Sequence, residues 1–191
     1  ERYLAEFTGR YDGSYLFAGM RNTRWGFFPS ASVAWNIAKE SWMSGFPALN
    51  DFKLRGSVAL LGNDSISAYS FLNTYSKYYS QIIYGNYGNG TTVNPGYADS
   101  ALANIDLTWE KSLSYNIGFD LKMWDGLLSA EVDAFYRYNY DLLTYMGSDY
   151  PPSMGNYFMG VENHNAYDTK SIDVMVSHRN HFMAGGKPFQ Y

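Results

Sequence analysis

The residues whose chemistry could carry a function are three histidines, a few spaced carboxylates and a run of tyrosines. His164, His178 and His181 invite a metal reading. His178 and His181 are three apart in what the pattern gives as a strand end and a turn, so they would not share a face as on a helix. No cysteine and no third ligand at a set spacing joins them. Glu131, Asp133 and Arg137 share one set of alternate positions, with Phe135 between the last two. Two carboxylates so placed could divide acid and base work, but the polar side of a strand has the same spacing. Asp64, in Leu61-Gly62-Asn63-Asp64, could join a metal site; turn formers held by local side-chain-to-backbone hydrogen bonds explain the run more simply. Tyr75, Tyr78, Tyr79, Tyr84 and Tyr87 could stack on sugar rings, because an aromatic face is an apolar platform with a polar tip. They could equally pack on neighbouring loops or on a partner protein. The glycine-rich residues 85–90 are no phosphate loop, for no Lys-Ser/Thr follows and no helix begins there. No nucleophile stands beside a base, so neither an enzyme nor a cofactor is expected.

Composition narrows the field. A net charge of −4 argues against nucleic acid, which needs clustered Lys and Arg. The absence of cysteine removes disulfides, thiolate metal sites and cysteine nucleophiles. Mean hydropathy is −0.34 and no long apolar run occurs, which excludes a transmembrane helix but not a barrel with polar lumen and loops. Aromatics make up 19% of the chain, with 19 Tyr, 12 Phe and 5 Trp, and Tyr and Trp favour membrane interfaces.

The elements that must position these residues are read from residues 113–138. Leu113, Tyr115, Ile117, Phe119, Leu121 and Met123 alternate with Ser114, Asn116, Gly118, Asp120 and Lys122. After Asp125-Gly126 the alternation resumes, with Leu128, Ala130, Val132, Ala134, Tyr136 and Tyr138 against Ser129, Glu131, Asp133, Phe135 and Arg137. Successive strand side chains point to opposite faces, so each strand is apolar on one side. Asp-Gly suits a two-residue type I′ turn, which sets Met123 opposite Leu128, Phe119 opposite Val132 and Tyr115 opposite Tyr136. A slip of one residue would put charges on the apolar face. Each pattern lasts roughly a dozen residues, against about 5–6 in soluble strands and about 9–11 needed to cross a bilayer.

Further strands are expected over about residues 2–12, 25–38, 52–61 and 170–179; in 2–12 and 52–61 the charges fall on one face only, and in the last Ile172, Val174 and Val176 share the outer face. Pro29 inside the second points to a bulge or to that strand's start. Residues 62–104 and 146–168 read as long loops, and residues 180–187 as a turn into a strand cut off at Tyr191. Connections after the first, third and fifth strands are long or polar, that between the fourth and fifth is tight and that between the second and third intermediate. Outer-membrane barrels keep such an alternation, and soluble sandwiches have no reason to keep it. Trp25, Phe27 and Phe28, where a strand leaves a loop, suit an aromatic girdle or packing.

The runs Arg10-Tyr11-Asp12-Gly13-Ser14 and Arg24-Trp25-Gly26-Phe27-Phe28-Pro29-Ser30 resemble the signature of SusC/RagA-type TonB-dependent transporters. So do Leu54-Arg55-Gly56-Ser57 with Leu61-Gly62-Asn63-Asp64, Thr108-Trp109-Glu110-Lys111, Asn116-Ile117-Gly118-Phe119-Asp120, and Tyr136-Arg137 with Asp141-Leu142-Leu143. These motifs are in order over residues 1–145; residues 163–180 fit less closely. The resemblance implies an all-β, antiparallel transmembrane barrel segment of about six strands from a barrel of about 22. Residues 1–191 would all belong to that barrel domain, with the plug and TonB box outside them. It further implies TonB-energised import of a glycan or peptide across a bacterial, Bacteroidetes-like outer membrane, beside a SusD-like surface lipoprotein. Tyr115, Phe119, Leu121, Val132 and Tyr136 are expected to face the lipid bilayer, and Asn116, Asp120, Glu131, Asp133 and Arg137 the lumen. A passive or adhesive barrel and a soluble β-sandwich carbohydrate-binding module are the alternatives.

Overall fold

The computed structural model describes residues 1–19, 22–78, 96–146, 151–154, 160–184 and 187–190. Its strands are β1 (Tyr3–Gly13), β2 (Trp25–Asn36), β3 (Leu49–Asn63), β4 (Thr74–Tyr78), β5 (Gly96–Ala101), β6 (Glu110–Met123), β7 (Leu128–Tyr145), β8 (Val161–His178), β9 (His181–Ala184) and β10 (Lys187–Gln190). Six of them form one antiparallel sheet in the order β1-β2-β3-β6-β7-β8, while β4-β5 and β9-β10 are separate hairpins. The sheet is open, with β1 and β8 at its edges.

The β6–β7 hairpin has the register that its turn and alternation dictate: Met123 pairs with Leu128, Phe119 with Val132, and Tyr115 with Tyr136. Asp125 and Gly126 take the positive φ of a type I′ turn, at 52° and 86°. Trp124 also has a positive φ, 52°, which the sequence does not announce. Neighbours hold it there. The Trp124 N–H donates to the Ala48 carbonyl at 2.8 Å, and Asn50 and Asp125 exchange hydrogen bonds of 2.9 and 2.7 Å. Pro29 pairs with Gly9 on one side, but the ladder to β3 begins only at Ser30, so no bond is lost where proline has no N–H to give.

Three expectations are corrected. The final strand of the sheet starts at Val161, inside the segment read as a loop. Residues 161–169 carry no apolar alternation, and pairing with the extension of β7 makes them a strand; Asn163 there donates to the Asp141 carbonyl at 2.7 Å. The segment 62–104 includes the β4-β5 hairpin, so it is not structureless throughout. Past His178 the chain pairs His181–Ala184 with Lys187–Gln190 as β9 and β10, so residues 181–184 are strand where a turn was expected.

Register carries the apolar alternation across all six strands. One lateral row runs Tyr3, Trp35, Leu54, Phe119, Val132, Val174, and another Phe7, Ala31, Val58, Tyr115, Tyr136, Lys170. The opposite face carries Glu6, Lys53, Arg55, Asp120, Glu131, Asp133, Arg137 and Asp173. Among the described residues, the buried hydrophobics are Phe17, Phe28, Ile37, Leu107, Trp109 and Met146, none from the middle of the apolar face. There Val33, Ile117, Ile172 and Val174 are 62–71% exposed. Among the described residues no second layer covers them.

Candidate functional site

Two constructions stand out: a charged cluster on the polar face and a knot of side chains at the end with the long connections. The cluster is centred on Arg55. Lateral register aligns Arg55 with Gly118 and Gly118 with Asp133. A side chain on Gly118 would collide with the Asp133 carboxylate, so the gap over this glycine is what lets the guanidinium reach a strand two places away. Arg55 donates to Asp133 at 2.6 Å, to Glu131 at 2.8 Å and, through Nε, to Asp120 at 3.2 Å. A guanidinium offers five N–H donors in a fixed fork and so can serve several carboxylates together. One cation facing three carboxylates leaves the patch negative, and Asp173 directly opposite Asp133 adds to it.

Asn116, Asp120, Glu131, Asp133 and Arg137 therefore share one face, and Tyr115, Phe119, Leu121, Val132 and Tyr136 share the other. Asn116 and Arg137 stay outside the cluster; Arg137 lies over the Phe135 ring at 5.9 Å. Asp120, Glu131 and Asp133 are held in ion pairs with Arg55. Among the described residues no three His, Asp or Glu side chains group to hold a metal. At Leu61-Gly62-Asn63-Asp64 the Ser65 N–H donates to Asn63 Oδ1 at 3.3 Å, the local turn bond its residue types favour. Of the tyrosines proposed for sugar contact, Tyr75 on β4 is 63% exposed, and only the backbone of Tyr78 is described. Tyr79, Tyr84 and Tyr87 lie outside the described residues.

The knot is built by Thr108-Trp109-Glu110-Lys111, which together tie the ends of β2, β3, β7 and β8. Thr108 N–H donates to Asn163 Oδ1 at 2.9 Å, and the Asn163 amide returns a bond of 2.9 Å to the Thr108 carbonyl. Trp109 Nε1 donates to the Arg24 carbonyl at 3.1 Å. Glu110 accepts from Asn63 at 2.6 Å and from the Leu143 N–H at 2.9 Å, and Lys111 donates to Asp141 at 2.8 Å. Phe17, Phe28, Leu107 and Trp109 close over this strap, with the Phe28 and Trp109 rings edge to face at 5.2 Å. A Cβ on Gly26 or Gly62 would meet the Phe28 ring, so both glycines are seats for it.

Phe28 thus departs from its motif neighbours. Trp25 and Phe27 are on the apolar face and half exposed; Phe28, one residue on, points the other way and is buried. The aromatic pairs flank the apolar face at both ends. Tyr11 stacks on Trp25 at 5.3 Å near the long connections, and Tyr3 on Trp35 at 6.3 Å near the short ones. At the latter end Tyr3 Oη and Trp35 Nε1 both donate to Glu40, at 2.7 and 3.0 Å. The Trp35 and Tyr3 hydrogen bonds hold the Glu40 carboxyl below the usual carboxylate range.

The motif Leu54-Arg55-Gly56-Ser57 contains Arg55 without showing its role, and no motif marks Asn163; the partners of both lie on strands joined only by the fold. The one available sign was that the hairpin register sets Gly118 against Asp133.

The family model "TonB dependent receptor-like, beta-barrel" matches residues 1–174. The chain is 30% identical over 190 residues to the TonB-dependent receptor SusC of Bacteroides thetaiotaomicron, an alignment covering 98% of this chain and 17% of that protein. It is 29% identical over 182 residues to TonB-dependent receptor P3 of Formosa agariphila, covering 94% of this chain and 17% of the relative. In structure it is similar to the RagAB peptide importer in its "open-open" state, with a TM-score of 0.77 at 24% identity, over 96% of this chain and 18% of that one.

Proposed function

The chain belongs to the TonB-dependent receptor β-barrel family, and from that premise we propose that it is wall and outer-loop structure of an outer-membrane active importer. The observation that carries this reading is the apolar face, which runs through six strands with Asp168 and Lys170 of β8 as its charged exceptions and is bounded at both ends by stacked aromatics. An apolar face of that size is not left bare in water, whereas a bilayer covers it. On this reading Tyr115, Phe119, Leu121, Val132 and Tyr136 touch lipid. Asn116, Asp120, Glu131, Asp133 and Arg137 line the lumen. The end with the long connections is extracellular, and the short connections meet the periplasm.

The cargo is an oligosaccharide or peptide, the partner a SusD-like surface lipoprotein, and the energy comes through TonB acting on a region outside residues 1–191. The likenesses to SusC and to a peptide importer support these finer points. Tyr75, with Tyr78, Tyr79, Tyr84 and Tyr87, would offer aromatic contact to cargo or partner. A defined pair of strains tests the function: the organism with its full-length gene intact, and the same organism carrying that gene without its TonB-contacting segment. Uptake of the glycan or peptide that induces the gene should cease in the second strain while the barrel still reaches the outer membrane. Undiminished uptake would overturn energised import and favour a passive barrel.

A further inference from the structure

Glycines inside strands are costly, by roughly 0.5–1 kcal/mol each relative to alanine, and usually mark a place where something else needs the space. Among the described residues of the main sheet, that space is filled from within at five of six glycines. The Phe27 ring covers Gly9, Trp25 covers Gly13, Phe28 covers Gly26 and Gly62, and the Asp133 carboxylate covers Gly118. Gly56 differs. A Cβ built there would meet nothing nearer than the Asn116 carbonyl at 3.8 Å and Val33 at 4.0 Å, which is ordinary contact. No side chain of this sheet occupies the room that Gly56 leaves.

Gly56 is on the apolar face, paired with Val33 and Ile117. It forms the floor of an apolar groove of about 530 Å³ whose walls include Tyr3, Val33, Trp35, Leu54 and Ile117. Such a volume falls among the roughly 300–1,000 Å³ sites that hold small ligands. Toward the short connections the groove reaches the stacked Tyr3–Trp35 pair, whose polar atoms both donate to Glu40. Arg2, about half exposed, holds its guanidinium 3.8 Å from the same carboxylate. The groove thus runs from an apolar floor to a polar mouth with a cation beside it.

We infer that this groove is a phospholipid site, one acyl chain lying over Gly56 and the phosphate meeting Arg2 at the periplasmic boundary. The inference rests on the membrane reading above. It adds to it a fixed lipid position in a face that would otherwise meet lipid uniformly. The occupant follows from continuity with the hydrocarbon around the groove and from Arg2 at its mouth, which is half exposed and, with five N–H donors and one carboxylate beside it, has donors left for a phosphate. Because a Cβ fits at Gly56, the groove can be filled without disturbing the sheet.

The test uses the full-length protein in nanodiscs doped with a phospholipid whose acyl chain carries a photoactivatable diazirine, with labelled peptides mapped by mass spectrometry. Labelling should concentrate at Val33, Leu54 and Ile117, exceeding that at Val132 and Val174 by roughly tenfold. Gly56→Leu should abolish the excess and leave Val132 and Val174 unchanged. Gly56→Ala, which adds only the Cβ, should fold at least as well and reduce the excess partly; heat-dependent gel mobility confirms a folded barrel in each case. Equal labelling of both regions would overturn the lipid site and leave the membrane reading intact. Links between two copies of the protein at Val33 or Ile117 would also overturn it, giving the groove to a second barrel. Absence of acyl labelling anywhere on the apolar face would contradict the membrane reading itself.

Discussion

The molecule uses its apolar side chains in two opposite ways. At the long-connection end, Phe17, Phe28, Leu107 and Trp109 are buried by the chain itself, and the polar groups around them are tied by hydrogen bonds. On the apolar face, Ile117, Ile172 and Val174 are as hydrophobic, yet among the described residues nothing covers them. The knot would be a reasonable core in water. The face would be a liability there, and becomes favourable only where hydrocarbon replaces water. The comparison teaches that hydrophobicity says which residues leave water, while topology decides whether protein or lipid receives them.

Breaking the knot should have the largest effect. Trp109→Ala removes ring contacts with Phe17 and Phe28 and the bond to the Arg24 carbonyl, and by analogy with other buried aromatics costs about 3–5 kcal/mol. Urea unfolding in lipid vesicles reads that loss; Trp109→Phe, which keeps a ring but not the N–H, should lose less. Next comes the face. Val174→Arg should cost about 2–4 kcal/mol in a bilayer, whereas Asp173→Arg, one residue away on the other face, should not. Vesicle-folding titrations of both variants sharpen the contrast, since a sheet bathed in water would tolerate Val174→Arg. Third, Gly62→Ala should cost about 1–3 kcal/mol, because the new methyl meets the Phe28 ring, and Gly56→Ala should cost nothing.

The smallest effect concerns Glu40. Its carboxyl is held below the ordinary range, so its contribution is fully present above the unfolded-state value and fades as pH falls through the folded-state one. Glu40→Gln should therefore be less stable than the parent at neutral pH, the gap closing in acid. Unfolding titrations of the pair across pH check it, and a gap unchanged by acid would contradict the assignment.

The fold was legible where local rules coincide. In β6–β7, Asp125-Gly126 and two uninterrupted alternations demand one register, and that register is present. It was less legible where strands hold by pairing alone. Residues 161–169 have no pattern of their own, and become a strand because β7 extends far enough to pair with them. The Arg24-to-Ser30 motif shows both cases: alternation places Trp25 and Phe27 together, but the burial of Phe28 depends on Trp109 and Gly62, far along the chain. Arg55 is similar, since its three carboxylates converge only through the order of β3, β6 and β7.

The central claim is that one face of the sheet meets lipid tails and the other does not. These 191 residues hold no cysteine, so single cysteines at positions 130 through 136 of the full-length protein can each carry a nitroxide label. In liposomes, collision rates with oxygen, which partitions into hydrocarbon, should be high at Ala130, Val132, Ala134 and Tyr136. Collision rates with a water-soluble nickel chelate should be higher at Glu131, Asp133 and Phe135. A strict two-residue alternation in that phase is the predicted result; a uniform profile, or alternation in the opposite phase, would contradict the account.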